Sequence, residues 1–291
     1  MNGTFTNLSP TQLTQAAAFI AELNNVKTSH IGYCGTSYND ILDTLQEDFV
    51  DQSTTSIYAQ IINDEIVSLI ALDIDDDAAE VWGPFTKLQN ENDLFALWEY
   101  TTDHHPTIAH YQFFINELNT QQIKFMDVLG AEKSGEHCYL KVVRETFKPV
   151  SIQLSTHYTD IYALPFSNIH DEAFPKTYYN AETILQKITE DDQNCLKLVI
   201  RRDGEVLGYA YYQLDLEERT AHIEYIAIKP SEKGKGLGTS FLKEVCTHIF
   251  SHPEVQHISL TVDNTNKSAI HIYLKAGFTQ VNVLWAYYLK Y

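Results

Sequence analysis

Three glycines alternate with other residues in the stretch "KGKGLG", residues 233–238, between an apolar run and a helical pattern. Glycine adopts backbone angles that other residues avoid, and it leaves the neighbouring N–H groups uncovered. Bare N–H groups at a helix start, together with the helix dipole, favour a bound anion. The spacing therefore predicts an anion site that is formed by main-chain amides at Gly234, Gly236 and Gly238.

Two common phosphate-binding motifs do not fit this stretch. A P-loop places a Lys-Ser or Lys-Thr pair directly after its last glycine, and no such pair follows Gly238. The dinucleotide fingerprint spaces its glycines as Gly-x-Gly-x-x-Gly, whereas the glycines here alternate strictly.

Strands and helices alternate around the glycine loop. The apolar patterns and the turn residues Asp203 and Gly204 predict these boundaries. Strands are predicted in "VSIQLS" (150–155), on both sides of the turn in "CLKLVIRRDGEVLGYAYYQLDL" (195–216), and in "TAHIEYIAI" (220–228), "HISLTV" (257–262) and "VNVLWAYYLKY" (281–291). Helices are predicted in "DIYALPFSNIHDEAF" (160–174), "AETILQKI" (181–188), "GTSFLKEVCTHIF" (238–250) and "KSAIHIYLKAGF" (267–278).

The first half of the chain repeats this order. "IYAQIINDEIVSLIALDI" (57–74) matches the hairpin, "AEVWGPFTK" (79–87) the strand after it, and "NTQQIKFMDVLGAE" (119–132) the last helix. Asn119 and Asn266 lie 147 residues apart, as do Gly130 and Gly277. We therefore predict two copies of one domain, residues 1–146 and 147–291, that join near Pro149.

The first copy lacks the features that could do chemistry. Its counterpart of the glycine loop, "TKLQNENDLFALWEY" (86–100), contains no glycine, and Met126 stands where the second copy has Tyr273. Methionine cannot transfer a proton. The first copy is therefore predicted to be degenerate and non-catalytic.

The second copy resembles the GNAT superfamily of N-acetyltransferases. "KGKGLG" is similar to the family's Arg/Gln-x-x-Gly-x-Gly/Ala loop, with Gly236 and Gly238 on the motif glycines and Lys233 in place of the usual Arg or Gln. "NKSAIHIYLKAGF" (266–278) is similar to the family's Asn-x-x-Ala-x-x-x-Tyr-x-x-x-Gly-Phe segment. The resemblance extends over residues 151–291 and implies an α/β fold with a mixed sheet, in two tandem copies.

The resemblance also implies acetyl-CoA as the co-substrate, with its pyrophosphate on the loop and its pantetheine arm along the strand before it. The residues implied in binding are Ile226, Ala227, Ile228, Lys233, Gly234, Lys235, Gly236, Leu237, Gly238, Thr239 and Asn266. Asn266 is also placed to cap the helix that follows it. No metal is implied.

Acetyl transfer needs a neutral amine, a polarised thioester carbonyl and a proton for the departing thiolate. Glu224 and His222 lie two apart on one face of a strand, at positions that supply the general base in the family, and Glu224 is the first choice. The resemblance assigns the thiolate's proton to Tyr273 and the polarising group to a backbone N–H near Ile226. The competing interpretation for Glu224 and His222 is that each pairs with a neighbouring group. For Tyr273 it is that the ring packs in the core.

The overall charge of −19 argues against a nucleic-acid partner, since phosphate binding needs a basic face. Residues 1–147 carry 6 Lys or Arg against 22 Asp or Glu, whereas residues 148–291 carry 14 against 17. We therefore expect a polyanion to prefer the second half. The acceptor is expected to be a primary amine of a small molecule or peptide, and the acidic first half favours a cationic one.

The remaining features fit a cytoplasmic protein, as a monomer or a homodimer. No apolar run approaches the ~20 residues of a membrane span, so no membrane partner is expected. The four cysteines are scattered, which favours reduced thiols. "DIDDDAAE" (73–80) is interpreted as a solvated turn rather than a metal loop, and Trp82, Trp98 and Trp285 as core residues. The alternative function is a non-catalytic acyl-CoA binder or sensor.

Overall fold

The structure is a computed structural model that describes residues 3–88 and 90–291, so Gln89 of the predicted loop counterpart lies outside the described residues. The chain forms two compact units. The first runs to His137 and also contains Asn282–Tyr291, and the second is Cys138–Val281. No helix in the described ranges combines the length and the apolar character needed to cross a membrane.

The secondary structure follows the predicted alternation. The strands are, in chain order, β1 (Thr4–Asn7), β2 (Val50–Asp51), β3 (Thr54–Thr55), β4 (Ile57–Ile62), β5 (Glu65–Asp75), β6 (Ala78–Thr86), β7 (His110–Asn116), β8 (Glu132–Val143), β9 (Ser155–His157), β10 (Asn194–Ile200), β11 (Val206–Asp215), β12 (Thr220–Ile228), β13 (His257–Asp263) and β14 (Thr279–Lys290). The helices are α1 (Leu13–Asn24), α2 (Tyr38–Asp48), α3 (Glu91–Asp103), α4 (Thr120–Leu129), α5 (Ala163–Ala173), α6 (Ala181–Glu190), α7 (Leu237–Ile249) and α8 (Lys267–Ala276).

The sheet of the first unit has the order β1-β4-β5-β6-β7-β14. Its hairpin turns use residues with positive φ, Asn63 and Asp64 between β4 and β5 and Asp76 between β5 and β6. Within the segment "DIDDDAAE" only the exposed Asp76 and Asp77 form the predicted turn, and the residues on either side belong to β5 and β6. Apolar side chains pack on both faces of the sheet, among them the buried Trp82 and Trp98.

The sheet of the second unit has the order β8-β13-β12-β11-β10-β9. Helices α5 and α6 cover one face of β10, β11 and β12, through a core that contains Phe166, Ile184, Tyr209 and Tyr225. Helix α7 turns an apolar stripe inward, and Phe241, Leu242, Val245 and Ile249 of that stripe are buried.

The two units repeat the same helix with the same caps. Asn119 caps the start of α4 by accepting the N–H of Gln122, and Asn266 caps α8 by accepting the N–H of Ala269. Gly130 (φ 72°) and Gly277 (φ 104°) end these helices in the left-handed conformation, which a glycine adopts without strain.

The prediction of a strand over residues 150–155 is wrong except at Ser155. The carboxylate of Glu244 on α7 accepts the backbone N–H groups of Leu154 and Ser155, and also the Ser155 hydroxyl. These residues therefore bond to a helix side chain rather than to a neighbouring strand, and β9 begins only at Ser155.

The compact units do not end at the predicted boundary between residues 146 and 147. From Leu284 to Lys290 the last strand of the chain, β14, pairs antiparallel with β7 of the first unit, while β8 from Cys138 belongs to the second. The boundary between the two sequence copies stays a prediction.

Candidate active site

The glycine loop leaves the start of α7 open. Gly234 (φ 79°) and Gly236 (φ 80°) adopt the left-handed conformation, which explains glycine at both positions. Gly236 is the N-cap of α7, and no side chain caps the first turn. The free N–H groups and the positive end of the helix dipole together favour a negatively charged ligand here.

Gly238 needs a different explanation. It does not have a left-handed φ, and an added Cβ would lie 3.7 Å from Ile272 Cδ1 and 3.9 Å from Ile228 Cγ1, which are ordinary contacts. Neither the backbone nor the protein packing therefore requires a glycine. The glycine leaves the space beside the first turn of α7 open to a ligand.

A cavity of about 730 Å³ lies next to this loop, within the second unit. Most of the predicted binding residues line it, namely Ile226, Ala227, Ile228, Lys233, Gly234, Gly236, Gly238, Thr239 and Asn266, together with Tyr273. Lys235 and Leu237 are not among the lining residues, and Lys235 instead pairs with Glu232 at 2.9 Å. Glu224 and His222 are not lining residues either.

The sequence did not predict the wall that α5 supplies. Ile169, Ala173 and Phe174 line the cavity, as do Ala269 and His271 of α8. The spacing of Ile169 and Ala173 on α5 places them on one face, but it does not distinguish a cavity wall from core.

The cavity opens where two parallel strands part. Strands β12 and β13 are paired only over Thr220–His222 and His257–Ser259, although β12 continues to Ile228. A bulge lies between Ile223 and Tyr225, so that Glu224 has no opposite residue on β11. The strand edge beyond His222 is therefore free for a ligand.

The side chain of Glu224 is half-buried on the α6 side of β12. Burial raises the pKa of its carboxyl group, and the charge of Lys187 on α6 partly opposes this rise. A carboxylate with a raised pKa is a better base at neutral pH than an exposed one.

His222 is bonded to a neighbouring strand and is buried more deeply than an accessible base would be. Its Nδ1 lies 2.9 Å from the hydroxyl of Ser259 on β13, and burial lowers its pKa to about 4. A neutral imidazole with so low a pKa is a weak proton acceptor. This geometry favours Glu224 over His222 as the base.

Tyr273 faces the cavity from α8. Burial raises the pKa of its phenol to about 12, so the hydroxyl is protonated at neutral pH. Its ring lies 6.1 Å from that of Phe278, and within the described residues the hydroxyl has no protein partner. Met126, its counterpart in the first unit, is fully buried in the core. Asn266 both caps α8 and lines the cavity.

Lys233 contributes positive charge at the mouth of the loop. Lys229 pairs with Glu205 and Lys235 with Glu232, whereas no carboxylate contacts Lys233 among the residues that the structure describes. Across those residues, no group of three or more His, Cys, Asp or Glu side chains is placed to hold a metal ion.

The profile of the Acetyltransferase (GNAT) family matches residues 159–278. An uncharacterized N-acetyltransferase of Methanocaldococcus jannaschii is 32% identical over 120 residues, which cover 41% of this chain and 74% of that protein. The chain belongs to the GNAT family of acetyltransferases. The predicted family is thereby confirmed.

Other GNAT relatives match over shorter stretches. The spermidine N(1)-acetyltransferase of Escherichia coli K12 is 35% identical over 89 residues, 30% of this chain and 47% of that protein. The mycothiol acetyltransferase of Streptomyces coelicolor is 35% identical over 80 residues, 26% of this chain. The matched stretch spans a quarter of that mycothiol acetyltransferase.

Solved structures match the whole chain. A GCN5-related N-acetyltransferase from Sphaerobacter thermophilus superimposes with a TM-score of 0.74 at 13% identity, covering 99% of this chain and 95% of that one. The tandem GNAT protein from the clavulanic acid biosynthesis pathway gives a TM-score of 0.68 at 13% identity, covering 99% and 98%. At this identity the match concerns the fold alone, and it confirms the predicted tandem GNAT fold.

Proposed function

We propose that the second unit transfers an acetyl group from acetyl-CoA to a primary amine of a small molecule or peptide. The observation that carries this proposal is one cavity in which the uncapped start of α7, the free edge of β12 and the Tyr273 hydroxyl meet. An anion site, a free strand edge and a proton donor are what a diphosphate, an amide-bearing arm and a thioester require.

In the proposed binding mode, the diphosphate lies on the N–H groups that follow Gly236. Lys233 adds a charge that no carboxylate in the described part of the chain neutralises. The pantetheine arm follows Ile226, Ala227 and Ile228, where β12 has left β13, and Asn266 borders the same space. Gly238 is glycine because the ligand passes close to it.

The reaction is a direct transfer within a ternary complex. The neutral amine nitrogen attacks the thioester carbonyl carbon, and a backbone N–H near Ile226 stabilises the oxyanion. Glu224 receives the amine's proton through water. The carbon–sulfur bond then breaks, and Tyr273 gives its proton to the departing thiolate. The products are an amide and CoA.

The acceptor is proposed to be a small amine, and a cationic one fits the acidic balance of the chain. The named relatives include a spermidine N(1)-acetyltransferase and a mycothiol acetyltransferase, which differ in the compound they are named for, so the shared sequence does not fix one acceptor. Spermidine and other polyamines are the first members of a test panel because of their positive charge.

A pair of substitutions at Gly238 tests the coenzyme site. Gly238→Glu places a carboxylate in the first turn of α7, where it suits the helix dipole but repels a diphosphate. Gly238→Gln has the same size without the charge. We expect calorimetry with acetyl-CoA to show a loss of affinity of at least about tenfold for the Glu variant relative to the Gln variant, about 1.4 kcal/mol. Equal affinities would contradict the proposed position of the diphosphate.

Thiol release with the amine panel then separates catalysis from binding. The alternative, a non-catalytic acyl-CoA sensor, requires acetyl-CoA binding without turnover of any amine. Retention of both Glu224 and Tyr273 favours the enzyme. We expect Tyr273→Phe to bind acetyl-CoA normally and to lower kcat by roughly 100-fold, because the phenol contributes a proton only after binding. The exposed Tyr178 provides the matched control, Tyr178→Phe.

A further inference from the structure

A buried glutamine occupies the first unit at the place where the second unit has an open cavity. Gln122 is the third residue of α4, and its side chain is 2% exposed. Its Nε2 donates a 2.7 Å hydrogen bond to the carbonyl oxygen of Pro84 on β6. The amide orientation follows from this contact, since a carbonyl oxygen can only accept.

The helix caps identify the counterpart of Gln122. Gln122 donates its backbone N–H to the capping Asn119, and Ala269 donates its own to the capping Asn266. Ala269 lines the cavity of the second unit. One copy therefore has a methyl group at this position, and the other has a three-carbon side chain that ends in an amide.

The strand register identifies the counterpart of Pro84. Strands β6 and β7 are paired only over Ala78–Glu80, as β12 and β13 are over Thr220–His222. The same number of residues separates Ala78 from Pro84 and Thr220 from Ile226. Ile226 lines the cavity, and Pro84 has no N–H to donate.

We propose that Gln122 is an internal ligand of the first unit, whose side-chain amide fills the cleft that β6 leaves when it parts from β7. The amide makes the hydrogen bond to the strand that a bound ligand's amide would otherwise make. The comparison with a coenzyme rests on the proposed function of the second unit. The filling of the first cleft rests only on the contacts of Gln122.

The orphaned oxygen of Gln122 agrees with this role. Among the described residues, Gln122 Oε1 is buried without a hydrogen-bond partner. Since Pro84 offers an acceptor but no donor, only one end of the amide is satisfied. The side chain is therefore retained for the bond to Pro84 and for the space that it fills.

Chemical rescue of Gln122→Ala tests the proposal in the full-length protein. The substitution removes a fragment of the size and chemistry of acetamide, and leaves the Pro84 carbonyl unpaired. We expect the urea midpoint of Gln122→Ala to lie below that of the wild type. The decrease should be about twice the decrease that Gln121→Ala causes. Gln121 is a matched control because its Nε2 donates to Leu88 O at 2.9 Å from a half-buried position.

Acetamide should raise the midpoint of Gln122→Ala more than that of the wild type, and acetone, which has the same shape without N–H groups, should not. Gln122→Met, which fills the space without a donor, should fold with a lowered midpoint and should not respond to acetamide. Equal responses to acetamide and acetone, or a Gln122→Met variant as stable as the wild type, would overturn the proposal. None of these readouts depends on acetyl transfer. The proposed function can therefore be wrong while this inference holds, and this inference can be wrong while the proposed function holds.

Discussion

At the scale of single residues, the proposed base depends on a balance around Glu224. Burial raises the pKa of its carboxyl group, and the charge of Lys187 acts in the opposite direction. The ammonium of Lys187 also lies 4.7 Å from the centre of the Tyr179 ring, which holds it on this side of the sheet. The pKa of the proposed base therefore depends first on burial and then on a side chain of α6 that the sequence does not connect with it.

Removing the charge of Lys187 should change the pH profile in a defined direction. A base acts in its deprotonated form, so kcat/KM falls as the pH drops below the pKa of Glu224. In Lys187→Met the opposing charge is absent, so the pKa of Glu224 rises and the acidic limb moves to higher pH. Profiles of kcat/KM from pH 5 to 9 measure this shift.

Two further variants make that measurement specific. Lys243→Met removes a lysine charge from α7 and should leave the acidic limb in place. His222→Gln should also leave it in place, because an imidazole with a pKa of about 4 does not titrate in this range. An acidic limb that moves in His222→Gln but not in Lys187→Met would assign the base to His222 instead.

The three loop glycines could be predicted from sequence, but the different structural reason for a glycine at each position could not. Gly234, Gly236 and Gly238 form one regular pattern in the sequence. In the structure the first two have left-handed φ, whereas Gly238 has neither that conformation nor crowding by protein atoms. Backbone angles depend on how the loop enters α7, and spacing alone does not encode that entry.

At the scale of elements, strand β12 shows what a pattern predicts and what it omits. The alternation in "TAHIEYIAI" predicted the strand with its observed bounds, Thr220–Ile228. It did not reveal the bulge at Glu224, nor that β13 leaves β12 after His222. Both features depend on the neighbouring strands. The strand prediction for residues 150–154 is wrong for a similar reason, because the N–H groups of Leu154 and Ser155 bond to Glu244 of α7 rather than to a strand.

The end of α7 depends on a residue that the sequence places near a linker. Arg144 donates from Nε to Val255 O at 2.7 Å, from Nη1 to Phe250 O at 2.8 Å and from Nη2 to His252 O at 2.5 Å. Phe250 is the C-cap of α7. A guanidinium therefore satisfies carbonyl groups at and beyond the negative end of the helix, which a helix leaves unpaired.

Arg144→Lys should lower the free energy of unfolding by about 1–3 kcal/mol. An ammonium carries the charge but cannot donate to three carbonyls in the directions that the planar fork allows. Urea unfolding monitors the change. Arg202→Lys, at an exposed arginine, is the control and should alter the free energy of unfolding by less than about 0.5 kcal/mol. An equal loss in both variants would show that the three hydrogen bonds contribute nothing specific.

At the scale of the whole molecule, the internal repeat is the most complete sequence prediction. Matching asparagines, 147 residues apart, cap matching helices, and matching glycines end those helices. The predicted degeneracy of the first copy rested on the absent glycine loop and on Met126. The sequence did not identify Gln122, because a glutamine near a helix start is ordinary until its contact with Pro84 is known.

Buried histidines give the molecule a predictable response to acid. In the described ranges, burial lowers the pKa of His30, His105, His157, His170, His222, His248 and His257. For a base whose pKa is lower in the folded state, the unfolded chain binds more protons as the pH falls. The contribution of these groups to stability is therefore fully present above their unfolded pKa of about 6.5, and it is lost as the pH falls through their lower folded-state pKa values, which are about 4 for His222, His248 and His257.

Carboxyl groups with raised pKa values act in the opposite direction. Burial raises the pKa of Asp73, Glu80 and Glu224, so protonation of these groups favours the folded state as the pH falls. Acid also reduces the net charge of −19 and with it the self-repulsion of the chain. The buried histidines outnumber these carboxyl groups, and they take up protons in the unfolded chain from about pH 6.5 downward. We therefore expect their destabilising effect to exceed that of the carboxyl groups in the first part of the acid titration.

The free energy of unfolding should therefore decrease between pH 6.5 and 5, measured by urea unfolding at constant ionic strength. In His222→Gln the slope of the free energy of unfolding against pH should be smaller by the equivalent of about one bound proton. The reason is that this variant lacks one group that binds a proton in the unfolded chain but stays neutral in the folded one. A stability that stays constant or rises over this interval would mean that the carboxyl groups and the relief of negative charge outweigh the buried imidazoles.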